Sequence, residues 1–270
     1  MYAFFHALLS DKKGGTVFSC FGIWHWCYIF AVAIIAVLIW FGLKKRDETA
    51  RRKVPGVLIN IAFGLYIADF FLMPLAYGEI DIEKLPFHVC TAMCVMCFLS
   101  HHIRAFRKWR VHVALLGFIS NLIYLFYPAG VMWYQVHPLS YRVVQTLLFH
   151  GVMTLYGLFA LAFEEQKLEW KHCGRDLAVL VSMTLWALIG NTVYNGQVGS
   201  YSHQFNWFFV VRDPFYLLPE TAAPFIMPFL NVAAFFAVEL LVYAVCRGIR
   251  RISCRGRDHA GSPGEPVGRE

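Results

Sequence analysis

Charge is the first thing this sequence is short of. Asp, Glu, Lys and Arg make up 15% of its 270 residues, against 59% hydrophobic and 17% aromatic. A soluble domain carries about a quarter charged residues. The chain also lacks a Walker loop, a GxGxxG run, an internal repeat and any soluble segment large enough to fold alone. Those absences exclude the usual phosphate cradles and the repeat architecture of many secondary transporters. The first ten residues, MYAFFHALLS, are too short to span a bilayer and lack the small-residue cleavage site of a signal peptide. They are expected to rest at a membrane surface. The eight cysteines lie mostly in or beside apolar stretches, which is not the spacing of a secreted disulfide framework.

What the chain does have is apolar sequence in blocks near the 20 residues that a spanning helix needs. They fall at 21–43, 54–77, 85–100, 111–127, 142–163, 177–195 and 225–246, the third and fourth being short. The expected fold is an all-α membrane protein, a bundle of about seven transmembrane helices. Residues 1–20 form an extracytoplasmic segment, 21–247 the transmembrane domain and 248–270 a basic, unstructured cytoplasmic tail. Of 24 Lys and Arg, 19 lie in segments 44–53, 101–110 and 164–176 and beyond residue 246. Basic loops stay in the cytoplasm, so the N-terminus is expected outside and the C-terminus inside. The same clustering accounts for the net charge of +7 without a nucleic-acid partner.

Polar and ionisable residues inside a bilayer are expensive and mark function by default. At 1.5 Å per residue, Asp69 lies about 12 Å from the outer surface, His88 about 5 Å and Cys90 about 8 Å. Asn121 lies at about 9 Å, His150 at about 12 Å and Asn191 at about 6 Å. Five helices thus bring a polar group to the outer half. Glu239, about 21 Å in, stands alone on the inner side. Each polar group could simply bond one helix to its neighbour; their shared depth suggests a common cavity facing the outer leaflet.

The stretch LPFHVCTAMCVMCFLSHH opens the third block. Pro86 suits a first helical turn, which leaves Cys90 near the free amides and the positive end of the helix dipole, a setting that suits a nucleophile. An activated cysteine needs a base, and His150 on another helix is better placed than His88, two positions away on the same one. Cys90, Cys94 and Cys97 share a helix face with His101. These four spread over about 16 Å of helix axis, too far to close one tetrahedron, so no metal is expected. Cys94 and Cys97 also form a C-x-x-C. No second cysteine pair stands in an outer loop to relay electrons, and packing is the simpler role for both.

The order EKLPFHVC, then FHG at 149–151, Asn191, and NWFFVVRDP at 206–214 resembles the YwaF-type integral membrane proteins, with their LPLHLC signature and their N-Y-x-F followed by Pro. The likeness runs from about residue 54 to 246; Trp207 stands where that family usually has Tyr. Vertebrate relatives of that family look like acyltransferases that build polyunsaturated ether phospholipids through an acylated cysteine. The resemblance therefore implies thioester chemistry in a helical bundle, with Cys90 at the matching position.

The first functional reading is phospholipid acyl transfer. Cys90 would be the nucleophile and His150 the general base and then acid. His88 would hold the nucleophile or bind headgroup phosphate. Asn191 or Asn121 would donate to the oxyanion, Asp69 would orient a histidine, and Arg212 and Asn206 would contact the headgroup. No cofactor is expected, and the partners would be phospholipid or lysophospholipid in the cell membrane, or in an endomembrane of a eukaryote. The second reading is a small proton-coupled or solute transporter or channel using Asp69, His88 and His150; it would want polar groups through the full membrane depth. The third is a non-enzymatic membrane scaffold.

Overall fold

The computed structural model describes residues 2–11, 15–78, 81–132, 134–164, 168–197 and 205–260, and every regular element among them is helical. The helices are α1 (Tyr2–Leu9), α2 (Ile23–Lys44), α3 (Glu48–Tyr77), α4 (Val89–His102), α5 (Arg110–Phe126), α6 (Ala129–Met132), α7 (Tyr141–Phe163), α8 (Cys173–Gln197) and α9 (Ala223–Ala260). Among the described residues, six helical stretches are long and apolar enough to cross a membrane: Ile23–Lys44, Glu48–Tyr77, Arg104–Met132, Tyr141–Phe163, Trp170–Asn195 and Ala223–Gly248. The chain is a multi-pass helical membrane protein. α9 continues past Cys246 to Ala260, into the stretch expected to be unstructured; residues 261–270 lie outside the described ones.

The helices alternate in direction, so the bundle has two faces. One, the N-terminal face, gathers the starts of α2 and α7 and the ends of α3 and α5. Here the Phe18 amide donates to the Val136 carbonyl, and His6 and Asp11 bond to Ala76 and Tyr77. The other, the basic face, carries the α2–α3 and α4–α5 turns, where Arg110 grips Glu164 at 2.9 Å. Local signals set these ends. The Asp47 side chain accepts the Ala50 amide at the start of α3, and Gly78, at φ +81°, closes it in the left-handed conformation that glycine adopts most freely.

α7 forms the centre, with two-thirds of its span buried, whereas none of the corresponding stretch of α2 is. α5 lies closest to α7. A Cβ added at Gly157 would sit 2.5 Å from the Phe118 Cβ, so the absent side chain is what lets the two backbones approach. α3, α4 and α8 complete the core, while α2 and α9 expose Phe30, Ile34, Leu38, Phe225 and Phe229. Such an apolar exterior fits lipid rather than water.

The third expected span departs from the pattern. α4 has 14 residues, about 21 Å of helix, against about 30 Å of hydrocarbon. Its partners on α3 run antiparallel: Phe98 stacks on Phe63, and His102 bonds to Asn60. That register sets Cys90 opposite roughly residue 71 of α3, about 9 Å below the helix end at Tyr77. The chain therefore reaches α4 as irregular backbone already sunk between helices. Such backbone is tolerated at that depth only when buried in protein and hydrogen-bonded.

Candidate functional site

Those hydrogen bonds are supplied one carbonyl at a time. The Trp207 indole donates to Glu83, the Tyr66 hydroxyl to Lys84, the Thr91 hydroxyl to Leu85 and His88, and the Trp186 indole to Pro86. Lys84 itself is tied to Asp69 at 3.1 Å, and Asp69 also accepts from Tyr141 at 2.7 Å. The Phe87 ring lies between Trp186 and Trp207, at 4.9 and 5.0 Å, and against Gly190, where any side chain would collide with it. The sequence EKLPFH is thus an anchored strap that delivers the N-terminus of α4 into the bundle.

At that N-terminus His88 is the capping residue, with no side-chain cap bond. The first helical bond runs from the Ala92 amide to the His88 carbonyl, so the amides of Val89, Cys90 and Thr91 precede the regular ladder. Cys90 is 4% exposed, and its thiol donates to the Ser120 carbonyl at 3.9 Å. His150 Nδ1 lies 2.7 Å from the Thr146 carbonyl, which can only accept; Nδ1 therefore carries the proton and Nε2 is left with a lone pair in the neutral ring. The ring stacks on Tyr124 at 3.8 Å, and Tyr124 in turn lies within electrostatic reach of Cys90. His88 meets the edge of Phe209 at 5.7 Å, and its Nδ1 is buried without a partner.

Cys90, His88, His150 and Asp69 therefore gather around one strap. Their connections differ from those expected. Among the described residues Asp69 orients no histidine; its two oxygens hold Lys84 and Tyr141. Asn191 spends its amide on the backbone of Trp207, donating to the carbonyl at 3.0 Å and accepting from the amide at 2.9 Å. Asn121 donates to Gly117 in its own helix, and its Oδ1 is buried without a partner. Asn206 closes its own loop by accepting the Val211 and Arg212 amides, while the exposed Arg212 sits at the loop edge. Cys94 and Cys97 are fully buried among apolar side chains, the Cys97 thiol lying 3.5 Å from the Val113 carbonyl. Among the described residues no three His, Cys, Asp or Glu side chains converge as a metal site.

Trp207 and Phe209, in the loop 205–218, lie against the strap, and part of that loop holds a conformation that side chains resist. Phe208 and Phe209 have φ of 57° and 52°, and each residue held in that region costs about 1–3 kcal/mol. Asn231 holds both carbonyls, at 2.7 and 2.9 Å. Asn195 bonds Phe205 in both directions. Asp213 accepts the amides of Phe215, Leu217 and Leu218, which hold its carboxyl below the usual carboxylate range. The turn that follows presents Phe215, Tyr216 and Leu217 outward, at 73%, 92% and 81% exposure, next to the start of α9.

The strap, the FHG histidine, Asn191 and the NWFF loop, far apart in sequence, thus make one assembly. Residues 20–246 match the model of the TMEM164 family. The chain belongs to the TMEM164 family. No curated protein and no solved structure matches it. The region shared with the TMEM164 family runs from just before α2 through the spanning part of α9, so it includes the whole assembly around Cys90.

It also includes a second polar cluster, toward the basic face. His112 of α5 bonds through Nδ1 to Asp176 of α8 at 2.7 Å, and the Tyr243 hydroxyl of α9 donates to the other oxygen of Asp176. Glu239, one turn before Tyr243, has both carboxyl oxygens buried without a partner. His112, Asp176 and Glu239 are all 0% exposed. The inner half of the bundle is therefore not bare, as the sequence suggested. Asp176 looked like part of a charged loop because the run 164–176 is rich in Glu and Lys, and a single polar residue two positions inside a span, as His112 is, carries no periodic signal.

Proposed function

We propose that this protein is a phospholipid acyltransferase that works through an acyl-thioester on Cys90. The observation that carries the reading is the convergence of separate motifs on a buried helix N-terminus bearing a cysteine. A strap, an oriented histidine and a strained loop are more structure than packing requires. Cys90 lies beside first-turn amides of α4, which are suited to an oxyanion.

In the first step the Cys90 sulfur attacks the carbonyl carbon of a phospholipid acyl ester. The bond to the glycerol oxygen breaks, and the thiol proton passes through His150 Nε2 to that oxygen, releasing a lysophospholipid. In the second, the hydroxyl of another lysophospholipid attacks the thioester, the C–S bond breaks and a proton returns to sulfur by the same route. Tyr124 holds the His150 ring flat. Asn191 acts through Trp207 by fixing the loop, and Asp69 acts through Lys84 by fixing the strap. With Cys90 4% and His150 7% exposed, lipid reaches them when loop 205–218 lifts. The basic segments set the opposite face in the cytoplasm, so the site opens toward the non-cytoplasmic leaflet of the cell membrane or of an endomembrane.

The test is labelling of the purified full-length protein with a fatty-acyl ester probe, with hydroxylamine release to identify a thioester. Label that is lost in Cys90→Ala and turns over with added lysophospholipid supports the proposal; equal labelling of Cys90→Ala ends it. The cluster around Asp176 favours one alternative, transport, because it places ionisable groups in both halves. Between the two clusters, however, Met93, Cys94, Cys97, Ala114, Leu116 and Met153 are 0–3% exposed, a dry layer that separates them.

A further inference from the structure

The second cluster has a charge count that its own side chains do not balance. Asp176 is served by His112 and Tyr243, and the His112 imidazole can supply one positive charge. Glu239 has no donor on either oxygen among the described residues and is 0% exposed. An isolated carboxylate in an apolar interior is costly by far more than any one interaction returns, so such a group takes up a counter-charge or is neutralised. Glu239 and Tyr243 lie four residues apart on one face of α9, and Tyr243 bonds Asp176, so that face turns Glu239 toward Asp176, which acts on it electrostatically. His112 Nε2 is a third buried atom of the cluster without a partner among the described residues.

A cavity at the basic face reaches the edge of this cluster. Tyr243 also lines a cavity of about 210 Å³ at the basic face, together with Leu168, Glu169, Trp170 and Arg247. The same tyrosine therefore touches the cavity on one side and the buried acid pair on the other, and Trp170 packs on its ring at 5.5 Å. The remaining titratable groups around the cluster are Glu169 and the exposed Arg247 in the cavity wall, His172, whose ring meets His112 at 6.3 Å, and Cys173 of α8. Arg247 is the fixed positive charge among them, and it stands two turns beyond Glu239, about 12 Å along the axis of α9, with Tyr243 between.

We propose that Glu239, with His112, Asp176 and Tyr243, forms a proton-binding site in the half of the bundle opposite Cys90, filled from the basic face through the cavity at Tyr243. The step is the addition of one proton from the aqueous phase to one Glu239 carboxyl oxygen, with no redox change. The site ties α9 to α5 and α8, so its occupancy is coupled to how α9 packs.

Infrared spectroscopy of the full-length protein in lipid nanodiscs reads this directly, through the carbonyl stretch of a protonated carboxyl in the apolar interior. At neutral pH one such band is expected, shifting on exchange into D₂O, lost in Glu239→Gln and retained in Tyr243→Phe. If Glu239→Gln does not fold, carbon-13 labelling of glutamate in the unaltered protein is expected to shift the band, whereas aspartate labelling leaves it in place. Absence of the band at neutral pH would overturn the proposal, as would a band that survives Glu239→Gln or ignores glutamate labelling. Loss of the band on adding sodium at constant pH would show a site for a metal cation instead, and would overturn it too.

Discussion

The two polar clusters are built from opposite materials. Around Cys90 the backbone itself is irregular: a strap whose carbonyls are taken by Trp, Tyr and Thr side chains, facing a loop with two consecutive left-handed phenylalanines. Around Asp176 the backbone is plain helix and only side chains meet, His112 to Asp176 to Tyr243. A site that has to present amides to a reacting carbonyl needs unladdered backbone, and such backbone is stable in a bilayer only inside protein. A site that only has to hold charge needs none. Under the proposed function, chemistry belongs to the first cluster and charge to the second.

The comparison breaks first at the sulfur. Cys90→Ala is expected to lower acyl transfer by a factor on the order of 10⁴ while leaving the thermal midpoint in detergent nearly unchanged, checked by lipid product analysis beside an unfolding scan. His150→Gln is expected to cost roughly 10²–10⁴-fold in turnover, and the variant should still take up less acyl label than the parent in a single-turnover assay. Asp176→Asn should do the reverse. The substitution disturbs the buried bonds from His112 and Tyr243, at about 1–3 kcal/mol for each group left unsatisfied, so denaturation should shift clearly while residual folded protein keeps its turnover.

Smaller changes sharpen the boundary. Asn191→Leu leaves the buried Trp207 amide and carbonyl without partners, at about 1–3 kcal/mol each, and should lower both stability and turnover because the loop and the strap share Trp207. A mutant that loses stability alone would move Asn191 out of the Cys90 assembly. Asp213 gives the smallest effect. Its carboxyl is held below the usual carboxylate range by the Phe215 amide and by those of Leu217 and Leu218, so its contribution is complete above the unfolded-state value and is lost as pH falls through the lowered folded one. Cleavage by pepsin near Phe215–Leu217 should therefore speed up as the pH is lowered through that range, and Asp213→Asn should be cut faster than the parent by chymotrypsin already at neutral pH.

How much of this was legible in the sequence differs by residue. The long spans were, because blocks of about 20 apolar residues have few other uses. Cys90 and His150 stood out as polar groups where polarity is costly; both meet α5, the Cys90 thiol at the Ser120 carbonyl and the His150 ring on Tyr124. The length of α4 was not legible: LPFH is as apolar as a helix, and its irregular path depends on Trp186, Trp207 and Tyr66 from other elements. Nor was the use of Asn191, since a side-chain amide that clamps a loop 16 residues away looks the same in sequence as one that waits for a substrate. Trp207 was noted as a departure from a family pattern; its place against Phe87 shows why a large ring with an N–H fits there.

The shortness of α4 turns the bundle into a depth gauge. Cys90 sits about 9 Å beneath the rim set by α3, and headgroups occupy about 5–8 Å of each side of a bilayer. Under the proposed function, a glycerolipid standing upright where the loop lifts would bring its linkage carbonyls, rather than its phosphate or its acyl tails, level with the sulfur. Chain length and headgroup identity would then matter less than whether an ester exists at that height.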